Sequence, residues 1–123
     1  MGLGLSLPVV TLALALPDSE AKAVLAAVMG CVVGIYVGFS LVDGRVAQLR
    51  IQLGFALFIL LLTALSLLVS PLLLGLSYAL HGCWDLLHLE RRPLIPTRLP
   101  GWYAFFCMTF DFPVALAVLW RWL

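Results

Sequence analysis

The chain has 123 residues, of which 64% are hydrophobic and 11% charged, with a formal net charge of +1. Its mean hydropathy is +1.16, and a soluble domain carries roughly 25% charged residues, so an ordinary soluble fold is excluded. At roughly 20 apolar residues per crossing the length allows four or five spans within one integral membrane domain covering the chain, with no sizeable extramembrane part.

The first apolar run, Leu3 to Leu16, stops at Pro17-Asp18-Ser19-Glu20. It is short for a span and matches a signal-peptide core in length, but no Lys or Arg precedes it. A short first helix is predicted, with a cleaved signal ending at Ala13-Leu14-Ala15 as the alternative. The second run, about Ala21 to Val42, carries Ala23, Ala27, Gly30, Gly34 and Gly38. At 100° per residue these share one stripe, and small residues in this register predict close helix packing. The partner is either another helix of the chain or a second copy in a homo-oligomer.

The third run, about Ile51 to Val69, places Gln52, Thr63, Ser66 and Ser70 on one face. That face should point into the bundle, its hydroxyls bonding their own helix carbonyls or lining a path for substrate or ions. The fourth run spans about Leu72 to Leu89 and the fifth about Trp102 to Trp120. Polar Asp43-Gly44-Arg45, the break at Ser70-Pro71, and a loop from Glu90 to Pro100 with three prolines separate the last four runs. Aromatic pairs at the two ends of the fifth run stand about 27 Å apart along a helix, which suits both membrane interfaces.

These elements define an all-α polytopic transmembrane bundle of about five helices, four full-length spans plus a short N-terminal one. Arg45, Arg50, Arg91, Arg92 and Arg98 fall on one side and Lys22 and Arg121 on the other. The positive-inside rule then predicts a multi-pass protein of the inner membrane with its N-terminus cytoplasmic and its C-terminus outside. The lipid bilayer is the expected partner. No basic run exceeds Arg91-Arg92, so nucleic acid is not one. Cys31, Cys83 and Cys107 are odd in number, lack a CxxC spacing, and are expected as free thiols.

The fourth run contains His81-Gly82-Cys83-Trp84-Asp85-Leu86-Leu87-His88. Positions 81, 85 and 88 project within about 60° of one another, which makes one face of a membrane helix ionisable over two turns. Cys107 and Asp111 share a face of the fifth run, and antiparallel packing would bring Asp111 near the level of His81. Ionisable side chains are costly in lipid, so such residues turn inward, pair with one another and mark functional sites. His81, Asp85 and Asp111 are the candidate catalytic residues. His81, Asp85, His88 and Asp111 are the candidate metal ligands, with Zn or Fe as the ion and Cys107 as a substitute donor. His88 fits less easily, since it lies about 10 Å along the helix from His81. The alternatives are a metal-free acid-base cluster and a purely structural hydrogen-bond network. Phosphate-loop, GxSxG and HExxH motifs are absent.

His81, Trp84-Asp85 and His88, followed by a short basic Pro-containing loop and then Cys107 and Asp111, resemble a family of small bacterial integral membrane proteins of unknown function. That family has an HxxWDxxH-type core, and the resemblance is strongest from about Gly75 to Ala117. It implies no known activity. Members often carry a second His directly after the one matching His88, where this chain has Leu89.

Three functions compete on this reading. The first is a membrane-embedded enzyme on a lipid or other apolar substrate, with His81, Asp85 and Asp111 holding a metal-activated water or acting as acid and base. The second is a transport or proton-handling component, and the third a structural accessory subunit without catalysis.

Overall fold

The computed structural model describes residues 1–89 and 94–123. Among the described residues five helices follow one another: α1 (Gly2–Ala15), α2 (Asp18–Asp43), α3 (Val46–Leu68), α4 (Leu72–Leu86) and α5 (Tyr103–Trp122). No strand occurs among the described residues. The fold is therefore all-helical.

Local chemistry sets the helix ends. Leu16 turns extended, Pro17 precedes α2, and Asp18 and Glu20 occupy the first turn of α2, where acidic groups complement the helix dipole. Gly44 takes a left-handed conformation at φ 77° and closes α2 by donating its N–H to the Ser40 carbonyl. Ser70 and Pro71 break the chain between α3 and α4, and the Ser70 hydroxyl accepts from the Leu72 N–H.

Among the described residues three helices are long and apolar enough to cross a membrane: α2, α3 and α5. Four full-length spans are not shown: α4 has 15 residues and ends at Leu86 rather than Leu89. Its last turn tightens, with the N–H groups of Leu87 and His88 donating to the carbonyls three residues back. The returning chain then caps it, since the N–H groups of Leu94 and Ile95 both donate to the Leu87 carbonyl. Glu90, Arg91, Arg92 and Pro93, expected in the basic loop, lie outside the described residues.

α4 packs on α5 and α3, α1 on α5, and α2 on α3 and α4. Glycines make the α4–α5 contact close: a Cβ at Gly75 would lie 2.8 Å from Leu119, and one at Gly82 3.0 Å from the Phe112 ring. α1 runs parallel to α5, with Gly2 against Phe106 and Thr109 at one end. At the other end Arg121 donates to the carbonyls of Ala13 and Leu16, which caps α1, and pairs with Asp18 at 2.8 Å. At the Arg-rich end Arg45 pairs with Asp43 and donates to the Pro96 carbonyl, while the Arg98 N–H donates to Asp43. The Asp43 carboxylate holds the Arg45 guanidinium above its ordinary pKa. The α2–α3 turn and the α4–α5 connection thus share one end of the bundle.

The small-residue stripe of α2 packs against none of the described residues. A Cβ at Gly30, Gly34 or Gly38 would meet nothing within 4 Å. The packed face of α2 is the opposite one, formed by Leu25, Met29, Val32, Val33, Tyr36 and Ser40.

Candidate functional site

Polarity runs inward in this bundle. Large apolar side chains such as Leu57 and Leu116, 67% and 68% exposed, face out, whereas Gln48, Gln52, Ser77, His81, Asp85 and Asp111 are buried. Helix geometry explains the convergence: Ser77, Tyr78, His81 and Asp85 follow a three-to-four-residue spacing along α4, and Cys107, Asp111, Val114 and Ala115 do so along α5. The close approach at Gly75 and Gly82 brings these two faces together.

His81 Nδ1 stands 2.6 Å from Asp111 Oδ2 and 3.8 Å from Asp85 Oδ2, and all three side chains are fully buried. The Tyr36 hydroxyl donates to Asp85 Oδ1 at 2.6 Å. That bond fixes the carboxyl from the far side and leaves Oδ2 facing the His81–Asp111 pair. Three buried atoms of this group have no hydrogen-bond partner among the described residues: His81 Nε2, Asp85 Oδ2 and Asp111 Oδ1. Unsatisfied buried polar atoms cost about 1–3 kcal/mol each, so three on neighbouring side chains call for a further partner such as water or an ion.

One donor atom from each of His81, Asp85 and Asp111 lies within 4.8 Å of the others. The 2.6 Å contact of His81 Nδ1 with Asp111 Oδ2 is itself a hydrogen bond, so an ion would either displace that bond or be reached through the unpartnered His81 Nε2, Asp85 Oδ2 and Asp111 Oδ1. Two carboxylates and a neutral imidazole would balance a divalent cation, which removes net charge from a buried site. The residues present therefore fit a divalent ion.

His88 does not join this donor group. Its Nδ1 lies 2.8 Å from the Trp84 carbonyl and its Nε2 2.7 Å from Gln52 Nε2. A carbonyl only accepts and an amide nitrogen only donates, so His88 is a neutral imidazole with its proton on Nδ1. Gln52 is saturated: its amide nitrogen also donates to Thr97, and its oxygen accepts from Trp84 Nε1. Thr97 in turn donates to Gln48 at 2.7 Å. The ring stands beyond the helical end of α4, which turns it toward α3 and the 94–101 segment. Cys107 is buried against Tyr36 and Tyr103, outside the donor group.

Tyr36, Gln48 and Thr97 escaped the sequence reading. Tyr36 lies opposite the glycine stripe in the spacing Leu25, Met29, Val32, Tyr36, Ser40, and a phenol on the packed face of an apolar helix requires a partner for its hydroxyl. That requirement was the available signal. Thr97 sits in an irregular segment with no periodicity to reveal it. Gln52 was placed on the inward face of α3, where it lies. Thr63 and Ser66 on the same face donate to carbonyls of their own helix.

The fold and the site together define an all-helical protein, apolar outside, with a buried His/Asp group between α4 and α5. The chain belongs to a family of unknown function, DUF6010, whose match covers residues 1–122. No curated protein and no solved structure matches it.

Proposed function

We propose that the chain is a multi-pass inner-membrane protein whose His81, Asp85 and Asp111 hold a divalent metal ion, Zn or Fe, and act on an apolar or lipid substrate. The observation that carries this reading is the set of three buried polar atoms, without a partner among the described residues, on side chains that converge. The apolar exterior and the polar interior favour the bilayer as solvent. When bound, such an ion supplies Lewis acidity. Asp85 and Asp111 contribute the negative charge that retains it, Tyr36 orients Asp85, and burial between α4 and α5 excludes bulk water. Hydrolysis or oxidation of an amphiphile is the reaction class that these groups serve.

A second reading, a proton-handling site without metal, draws on the 2.6 Å contact between His81 and Asp111, a separation suited to proton exchange. Elemental analysis of detergent-purified protein separates the two. Near-stoichiometric Zn or Fe in the wild type, lost in both His81→Ala and Asp111→Asn, is the expected result. Well-folded wild type devoid of metal after expression with added Zn and Fe would overturn the metal reading and leave the proton-handling one.

A further inference from the structure

A pocket of about 250 Å³ opens at the Arg-rich end of the bundle, lined by His88, Thr97, Arg98, Leu99 and Gly101 among others. Two of its walls lead to the buried site. The His88 ring meets the Tyr36 ring edge-on at 5.0 Å, and the Tyr36 ring meets that of His81 at 5.3 Å. Leu99 packs against the cluster of Tyr36, Tyr103 and Cys107. Tyr36 is only 2% exposed, so its ring fills the space between the pocket and the His/Asp group while its hydroxyl holds Asp85. Two other pockets, one at Met1, Trp102 and Thr109 and one at Ser40, Arg45 and Leu49, include no site residue and no hydrogen-bond partner of one.

The pocket itself is polar at its rim. Arg98 is exposed there, and Thr97 and His88 line it from the inside. Its size suits a headgroup rather than an acyl chain, since sites for drug-sized molecules begin at about 300 Å³.

We propose that this pocket is the port through which the substrate presents a polar, anionic end group from the aqueous interface, and that the Tyr36 ring is the plug between the port and the His81/Asp85/Asp111 site. The proposal rests on the reading of those three residues as the site. It narrows the substrate to an amphiphile whose reacting bond lies beside its charged end, because a single aromatic ring separates port from site. An acyl-chain position deep in the bilayer would have to arrive by another route.

Cys107 provides a native reporter, being buried against Tyr36. In protein carrying Cys31→Ser and Cys83→Ser, Cys107 is challenged in nanodiscs with two membrane-impermeant methanethiosulfonates, one bearing a sulfonate and one a trimethylammonium group. Each rate is divided by that reagent's rate with a small free thiol. The expected result is negligible labelling with Tyr36 intact and in Tyr36→Phe, which keeps the ring, against labelling several-fold faster in Tyr36→Ala. The sulfonate reagent should be favoured in Tyr36→Ala, and Arg98→Gln should abolish that preference. Leu99→Ala, which thins the same wall from the pocket side, carries the same expectation if Tyr36→Ala does not fold.

Silence of Cys107 in a folded Tyr36→Ala variant would overturn the port. Equal opening by Tyr36→Phe would overturn the ring as plug, and a preference for the cationic reagent would overturn the anionic end group. Metal content is measured on the same wild-type preparation. Its absence counts against the proposed function and leaves the labelling to judge the port, while labelling failure in metal-replete protein counts against the port alone.

Discussion

At the scale of single residues, two polar networks share one interior and differ in whether their atoms are satisfied. Around His88, every donor and acceptor of Gln52 is matched, so the group locks the 94–101 segment onto α3 and α4. Removing Gln52 with Leu strands the Trp84 N–H and the His88 Nε2, and should lower unfolding stability by about 1–3 kcal/mol. Thermal unfolding in detergent reads this, with metal content unchanged as the companion result. Around His81 the accounting is incomplete among the described residues, and there the neighbours bear on the proposed metal site. Tyr36 contributes one hydrogen bond to the carboxyl of a proposed ligand, and outer-shell partners of this kind are worth 10–100-fold in metal affinity. Tyr36→Phe should therefore weaken metal retention by about that factor, measured by competition with a chelator, and lower unfolding stability by about 1–3 kcal/mol, because it strands the buried Asp85 Oδ1. Retention equal to wild type would remove Tyr36 from the support of the site.

At the scale of elements, glycine has opposite meanings on α2 and α4. The stripe Gly30, Gly34, Gly38 is open, whereas Gly75 is closed by Leu119 and Val118. The same substitution separates them. Gly75→Ala forces α4 from α5 and should destabilise by about 1–3 kcal/mol, as overpacking does. Gly34→Ala meets no neighbour and should leave stability of the isolated chain equal or slightly higher, because alanine is the better helix former. Unfolding of the two variants in the same detergent checks the contrast. The i+4 glycine register was visible in the sequence. Which side of α2 faces the bundle was not, because a face of small apolar residues and a face of large ones are equally compatible with an apolar environment. The polar faces were more informative: buried His81, Asp85 and Asp111 have few places to go, and their spacing on α4 and α5 already pointed the two helices at each other. The end of α4 depended on the returning chain, whose amides at Leu94 and Ile95 cap it, and no local signal before Leu89 announces that.

At the scale of the whole molecule, the parity of crossings decides where the ends lie. α1 has 14 residues and runs beside and parallel to α5 from the level of Phe106 to that of Arg121, as five helices that reverse direction four times require. Arg45 and Arg98 meet at one end through Asp43 and Pro96, and Arg121 and Asp18 meet at the other. Arg50 adds to the first end, while Lys22 lies just past the first turn of α2, near the second. The bias in Lys and Arg near helix ends sets orientation, which predicts a cytoplasmic Arg-rich end and an external C-terminus. The port described above would then open to the cytoplasm. Alkaline phosphatase fused after Leu123 should be active and green fluorescent protein at the same position dark, with the reverse pattern for fusions placed after Asp43. Fluorescence from the C-terminal fusion would mean an even number of crossings or an inverted bundle. A fusion after Leu16 distinguishes these: alkaline phosphatase activity there implicates loss of a later crossing, α4 being the shortest of those that follow at 15 residues, and fluorescence there implicates α1 or the orientation itself.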